Sequence, residues 1–165
     1  MMHDVTIRRA LAGDLAPASE LCARLARQHH EADPDRFFLP ERVQEGYAGW
    51  LARERERPEA IVMVALESER VVGYAYGAVS ERDWNLLIDR HGVVHDLFVL
   101  DEARGRGTGG RLFDALLAEL DALGAPRIVL YTMVGNENAQ RLFRARGFRP
   151  TLLEMTRSTP AARMP

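Results

Sequence analysis

The order of periodic segments predicts a mixed α/β fold, with a mostly antiparallel central sheet flanked by helices. Three observations lead there. Two alternating apolar runs, "AIVMVALE" and "RVVGYAYGAVS", meet at the polar turn Ser68-Glu69-Arg70, which is the pattern of a meander hairpin. A further strand, "GVVHDLFVL", is separated from "PRIVLYTM" by a helical stripe, the crossover that a parallel pair requires. Two amphipathic segments precede the hairpin, so helices are available to cover the sheet.

Taken in order, "DVTIRRA" alternates like a short strand. Asp14 then caps a helix whose apolar stripe is Leu15, Ala18, Leu21, Cys22 and Leu25. "HHEADPDRFFLP" reads as a loop, because two prolines and three acids interrupt any period. "ERVQEGYAGWLARERER" is a second helix ending before Pro58, with its "RERER" run as a solvated face. After the hairpin and the fourth strand comes a glycine-rich turn, Gly105 to Gly110. A helix striped by Leu112, Phe113, Leu116, Leu117 and Leu120 follows it. "PRIVLYTM" is the fifth strand. "NENAQRLFRARG" is a helix with Asn136 as its cap and Gly147 as its stop. "FRPTLLEMTR" supplies one or two closing strands, which could pair across a homodimer. The expected order is β-α-α-β-β-β-α-β-α-β. It makes a single domain of residues 1–158, with a loose tail at 159–165.

Composition narrows the function classes. The chain is 47% hydrophobic and 28% charged with net charge −2, so it lacks the basic excess of a nucleic-acid binder. Its one cysteine, Cys22, allows no internal disulfide and fits a reducing compartment. No apolar run approaches the ~18 residues that span a bilayer, and "MMHDVTIRRA" is no signal segment. The expectation is a cytoplasmic protein with neither nucleic-acid nor membrane partners.

The stretch "VLDEARGRGTGGRLFDALLAEL" poses the functional question. Four of the six positions from Gly105 to Gly110 are glycine, although each glycine inside a helix costs roughly 1 kcal/mol relative to alanine. Glycine lets a ligand approach backbone N–H groups, and a helix's first turn holds unpartnered N–H groups at the positive end of its dipole. Together they suit phosphate oxygens, with Arg104, Arg106 and Arg111 adding charge around the turn. The bland alternative is a flexible loop whose glycines serve turn geometry. Gly105, Gly107 and Gly110 also satisfy G-x-G-x-x-G. The dinucleotide fingerprint, however, belongs in an opening strand–helix unit with an acid about 20 residues later. Here most strands come first, and "RIVLYTM" ends without an acid. No Gly-Lys-Ser/Thr is present for a P-loop, and no "HRD" segment for a kinase.

"HDLFVLDEARGRGTGGRLF" resembles the acyl-CoA-binding segment of the GCN5-related N-acetyltransferases, Arg/Gln-x-x-Gly-x-Gly/Ala after a strand, through Arg104, Gly107 and Gly109. "NENAQRLFRARGF" is similar to the same family's Asn-x-x-Ala-x-x-Leu-Tyr-x-x-x-Gly-Phe, through Asn136, Ala139, Leu142, Gly147 and Phe148. The resemblance covers nearly the whole chain and implies the acyl-CoA N-acyltransferase fold with acetyl-CoA as co-substrate. It implies that the backbone of Gly105, Arg106, Gly107, Thr108, Gly109 and Gly110 holds the pyrophosphate beside Arg104. It further implies that the main chain of Leu97, Phe98 and Val99 pairs with the pantetheine arm, that an N–H near Val99 polarises the thioester carbonyl, and that Asn136 touches the cofactor arm.

An alkylammonium titrates near 10, so a base must take its proton before it attacks the thioester. His95, just before the cofactor strand, is the leading base, and its alternative is a structural histidine bonded to a loop. Asp96 beside it, Tyr76 on the third strand and Phe37 in the first interhelical loop are the acceptor-site candidates. That loop's acids suit a cationic amine, with Phe37 and Phe38 as apolar wall; ordinary loop packing is the other reading. No metal ligand set closes in "HHEADPDRFF". Tyr74 and Tyr76 share a face that is either core or cleft. One departure from the family stands out: Phe143 occupies the place of the tyrosine that protonates the leaving thiolate. Phe143 can still pack on the pantetheine, and either Tyr131 or a water donates instead, or the step proceeds without an acid; Tyr131 is otherwise a core or cleft aromatic. The expectation is direct acetyl transfer to a primary amine, of a small molecule rather than a protein. Its rival is a non-catalytic acyl-CoA-binding module.

Overall fold

The computed structural model describes residues 5–159. Its elements are β1 (Val5–Arg9), α1 (Leu15–Ala32), α2 (Val43–Arg55), β2 (Ala60–Glu67), β3 (Arg70–Ser80), β4 (His91–Val99), α3 (Thr108–Ala122), β5 (Ile128–Leu130) and α4 (Glu137–Arg144). The strands form one sheet in the order β1-β2-β3-β4-β5, antiparallel throughout except for the parallel β4–β5 pair. β2 and β3 have the limits their alternation predicts. Ser68 and Glu69 both take positive φ (48° and 65°) to close the tight hairpin between them.

β3 shows how the layers form. Tyr74, 1% exposed, faces Cys22 of α1. Its neighbour Gly73 faces the other way, and so does Gly77. Cβ atoms there would sit 3.4 Å from Leu112 and 3.3 Å from Leu116 of α3. The two glycines thus let α3 lie close on one face while α1 and α2 cover the other. Arg111 and Arg9 tie α3 to the edge strand. The first donates to the Val5 carbonyl at 2.8 Å, and the second pairs with Glu119 at 2.5 Å. Phe113, Phe143 and Phe148 cluster between α3 and the end of α4, with centroids 5.0–6.3 Å apart.

Several expectations need correction. α1 continues through His29 to Ala32, into the stretch read as loop. The helix stops only at Asp33, whose extended backbone (φ −155°) is what the following Pro34 demands. Asp14 holds the cap position but makes no capping bond. Its carboxylate instead accepts the Leu11 N–H at 2.6 Å and Arg8 at 2.5 Å. The "RERER" run is not wholly solvated, since Glu54 is buried. β5 is only three residues long. No closing strand forms among the described residues after it, where Leu152, Leu153 and Met155 are 77%, 69% and 87% exposed. A strand laid there would order its backbone while burying little apolar surface. Arg36, in the interhelical loop, instead pairs with Glu154 (Nη2–Oε2 3.0 Å) and holds this segment against that loop. The tail expected at 159–165 lies outside the described residues except for Thr159. No described helix is long and apolar enough to cross a membrane.

Gly77→Val would bring a Cβ within 2.9 Å of the Val93 carbonyl, so roughly 2–3 kcal/mol of stability is expected to be lost in urea unfolding. The Arg8 guanidinium holds the Asp14 carboxyl below the usual carboxylate range. A depressed folded pKa stabilises above the unfolded value near 3.9 and loses that contribution as pH falls through the folded value. Asp14→Asn should cost about 1 kcal/mol at pH 7, a difference from wild type that vanishes in acid.

Candidate active site

The site begins where two strands part. β4 and β5 pair only from Gly92↔Ile128 to Val94↔Leu130. Leu100 gives its N–H to Val72 on the β3 side at 2.9 Å. By the alternation of a strand, Leu97 and Val99 therefore turn their N–H and C=O groups to the β5 side, where no strand meets them. The Val99 carbonyl accepts Arg104 Nε at 2.8 Å, which leaves the two N–H groups and the Leu97 carbonyl on an open edge. Phe98 points instead into the core, 5% exposed, with the Arg104 guanidinium 5.7 Å from its ring centroid.

The glycines beyond β4 divide by task. Gly105 and Gly107 hold φ of +73° and +79°, and a Cβ on either would meet open space. Backbone sign explains both glycines, and the space beside them is available to a ligand. Gly107 is the residue before the first turn of α3. Gly109 has only an ordinary neighbour, Val99, at 3.7 Å. Gly110 has a packing reason, since its Cβ would lie 2.7 Å from Arg146, which reaches past it to Asp114. Thr108 is buried at the start of α3, and its hydroxyl has no hydrogen-bond partner among the described residues. Arg106 pairs with Glu67 at 2.8 Å and donates to the Glu102 carbonyl at 2.9 Å, and Arg104 pairs with Asp101 at 2.7 Å. An unpaired amide edge, a left-handed glycine turn and an orphaned hydroxyl at a helix start fit the extended amide arm and the diphosphate of coenzyme A.

His95 stands at the near end of the open edge. Between Tyr76↔Asp96 and Gly77↔Val94 the β3–β4 register slips, so His95 is the extra residue of a bulge. Its ring lies on the Tyr76 ring, 5.2 Å between centroids and 23° between planes. Burial lowers the pKa of His95, and the Glu54 charge partly offsets this, so the imidazole is neutral at pH 7. Asp96 is turned inward. Burial pushes its carboxyl up to about 6, against the pull of the Tyr74 hydroxyl bonded to it. The shared face of Tyr74 and Tyr76 thus serves both purposes: Tyr74 is core, and Tyr76 is buried in the wall beside His95.

The other half of that wall comes from α2, which the sequence reading passed over. The Trp50 ring meets the edge of Tyr76 at 4.5 Å, and Tyr47 meets Trp50 at 5.9 Å. Glu54, 7% exposed, accepts the Tyr76 hydroxyl and Arg57 Nη1, the latter at 2.7 Å. Tyr47, Trp50, Leu51 and Glu54 recur at i, i+3, i+4 and i+7, a helical face that was legible beneath the charge run. Between α1 and the end of β4, a hollow of about 320 Å³ is bordered by Arg24, Arg27, Gln28, Phe98 and Leu100.

Four further candidates lie around this centre. Tyr131, just past β5, is 66% exposed and so is no core aromatic. Asn136 caps α4 by accepting the Ala139 N–H at 3.1 Å. Phe143 is buried in the phenylalanine cluster. Phe37 stacks on His29 at 4.9 Å, while His30 Nδ1 bonds the Phe37 carbonyl at 2.6 Å. Phe38 is 85% exposed in the same loop.

The model of the Acetyltransferase (GNAT) family matches residues 21–148. The uncharacterized N-acetyltransferase YhfO of Bacillus subtilis is 27% identical over 146 residues, covering 87% of this chain and 89% of its own. A mutant of the BH1408 protein of Bacillus halodurans superposes with a TM-score of 0.79 at 20% identity, over 93% of this chain and 99% of that one. The aminoglycoside N-acetyltransferase AAC(6')-Iy, solved in complex with CoA, superposes with a TM-score of 0.76 at 17% identity, over 95% of each chain. The chain belongs to the GNAT family and is an acetyl-CoA-dependent N-acetyltransferase.

Proposed function

We propose that this enzyme acetylates the primary amine of a small molecule, with the thioester lying along the open edge of β4 and His95 taking the amine's proton. The observation that carries the reading is the placement of His95, a bulged residue at the start of the only stretch of β4 whose β5-side amides lack a strand partner. Acetyl-CoA, when bound, supplies an acyl carbon activated by a thiolate leaving group. Leu97 and Val99 present N–H donors of the kind that stabilise an oxyanion. The amides of Gly105, Arg106, Gly107, Thr108, Gly109 and Gly110 hold the diphosphate, with Arg104 beside them, and Asn136 and Phe143 border the arm. A neutral imidazole at pH 7 is in the form that accepts a proton. Tyr76 and Asp96 shape the acceptor side, with Phe37 at its rim. Tyr131 is the hydroxyl from which a proton returns to the departing sulfur, since Phe143 has none.

A small-molecule acceptor rests on two supports. The wall around His95 is aromatic and compact, formed by Trp50 and Tyr76 with Glu54 behind them. One structural neighbour is an aminoglycoside acetyltransferase. Aminoglycosides therefore head the amine panel, followed by amino acids, simple alkylamines and peptides with free N-termini.

The test is thiol release from acetyl-CoA across that panel. His95→Ala should lower kcat by roughly 10²–10⁴-fold, with calorimetric affinity for CoA unchanged. An unaltered kcat would remove His95 from the chemistry. Gly107→Val forces a branched residue to positive φ at a cost of roughly 1–2 kcal/mol or more. By driving the turn away from this backbone shape it should weaken CoA binding at least about tenfold, while the fold persists because a Cβ there meets no neighbour.

A further inference from the structure

We propose that Glu54 of α2 is a positioning residue for His95, acting through Tyr76: its carboxylate anchors the Tyr76 hydroxyl, and the Tyr76 ring holds the imidazole against the open edge of β4. The inference rests on the reading of His95 as the base.

Glu54 is hard to explain as a stabiliser of the fold. It is 7% exposed, and a buried carboxylate carries a desolvation cost that a single ion pair rarely exceeds. Its ionic partner, Arg57, is 49% exposed at the side chain, so their attraction is weakened by water. A buried tyrosine hydroxyl needs an acceptor, but a neutral amide would serve equally well. What glutamate adds is a negative charge one ring away from His95.

The geometry places that charge to good effect. His95 is a bulge residue, and its backbone alone leaves the side chain free to swing. The Tyr76 face, at 5.2 Å and 23°, is the surface on which the imidazole rests. Tyr76 is itself held from two directions, by the Trp50 edge at 4.5 Å and by the Glu54 carboxylate at its hydroxyl. The charged and titratable groups around this stack are Tyr76 of β3, Tyr47 and Glu54 of α2, Arg57 just beyond it, and Asp96 of β4. Of these, Glu54 opposes the effect of burial on His95, keeping the ring basic enough to take a proton from an ammonium.

Three variants separate the roles. Glu54→Gln keeps an acceptor for the Tyr76 hydroxyl and removes the charge. Tyr76→Phe keeps the stack and removes the hydroxyl. Glu54→Leu removes both charge and acceptor. The readouts are the pH profile of kcat/KM and the NMR titration of the His95 ring. Glu54→Gln should move the acid limb, and the ring titration, to lower pH, because the charge that favours the imidazolium is gone, with plateau kcat within a few-fold of wild type. Tyr76→Phe and Glu54→Leu should lower plateau kcat about tenfold, with KM for acetyl-CoA unchanged. The proposal is overturned if the Glu54→Gln ring titration coincides with wild type, or if Tyr76→Phe retains full kcat. Because the NMR titration needs no turnover, it reports on the Glu54–His95 coupling even if His95→Ala shows that the base lies elsewhere. The isosteric Glu54→Gln carries the test if the leucine variant does not fold.

Discussion

Parallel strands β4 and β5 stay bonded for three residue pairs and then separate, and the arrangement of the site depends on that separation. Backbone amides are obligatory hydrogen-bonding groups, so a strand edge without a neighbour is a free row of donors and acceptors. In this protein the edge is framed on every side: Arg104 occupies the Val99 carbonyl at one end, His95 stands at the other, and the α3 glycine turn lies just beyond. An extended amide-bearing arm is the chemical complement of such an edge, and a diphosphate is the complement of the turn.

Packing on the far face fixes the helix that follows the glycine turn. α3 lies close against β3 because Gly73 and Gly77 present no side chain to Leu112 and Leu116. α4 leans on α3 through the three phenylalanines and through Arg146, which passes over Gly110 to Asp114. The dense glycine run therefore answers more than one constraint. Gly105 and Gly107 permit left-handed backbone in the turn before α3, while Gly110 admits a guanidinium from beyond α4. The same buried cluster takes in Phe143, whose ring packs against Phe113 and Phe148.

On the other face, α1 and α2 bring polar chemistry into contact with the sheet. Tyr74 is buried beside Asp96 and beside Cys22, whose thiol burial pushes up to about 12, the mark of an inert core cysteine. One bulge away stands His95. A single slip of register thus separates a carboxylate turned toward Tyr74 from an imidazole stacked on Tyr76.

Period and turn chemistry in the amino-acid sequence alone were enough to determine the strands β2, β3 and β4, the crossover, the Asn136 cap and the glycine turn, because each is a local consequence of alternation, capping or φ. Family motifs likewise pointed to the cofactor before any contact was visible. Only the tertiary structure decided where β4 and β5 part, that Glu54 is buried while its flanking arginines are not, and that "TLLEMTR" builds no strand. Those outcomes turn on which neighbour each side chain meets. Glu54 is drawn inward by a tyrosine 22 residues later in the chain, and Glu154 pairs at the surface with an arginine 118 residues earlier. Partners so distant leave no periodic trace in the segment that carries them.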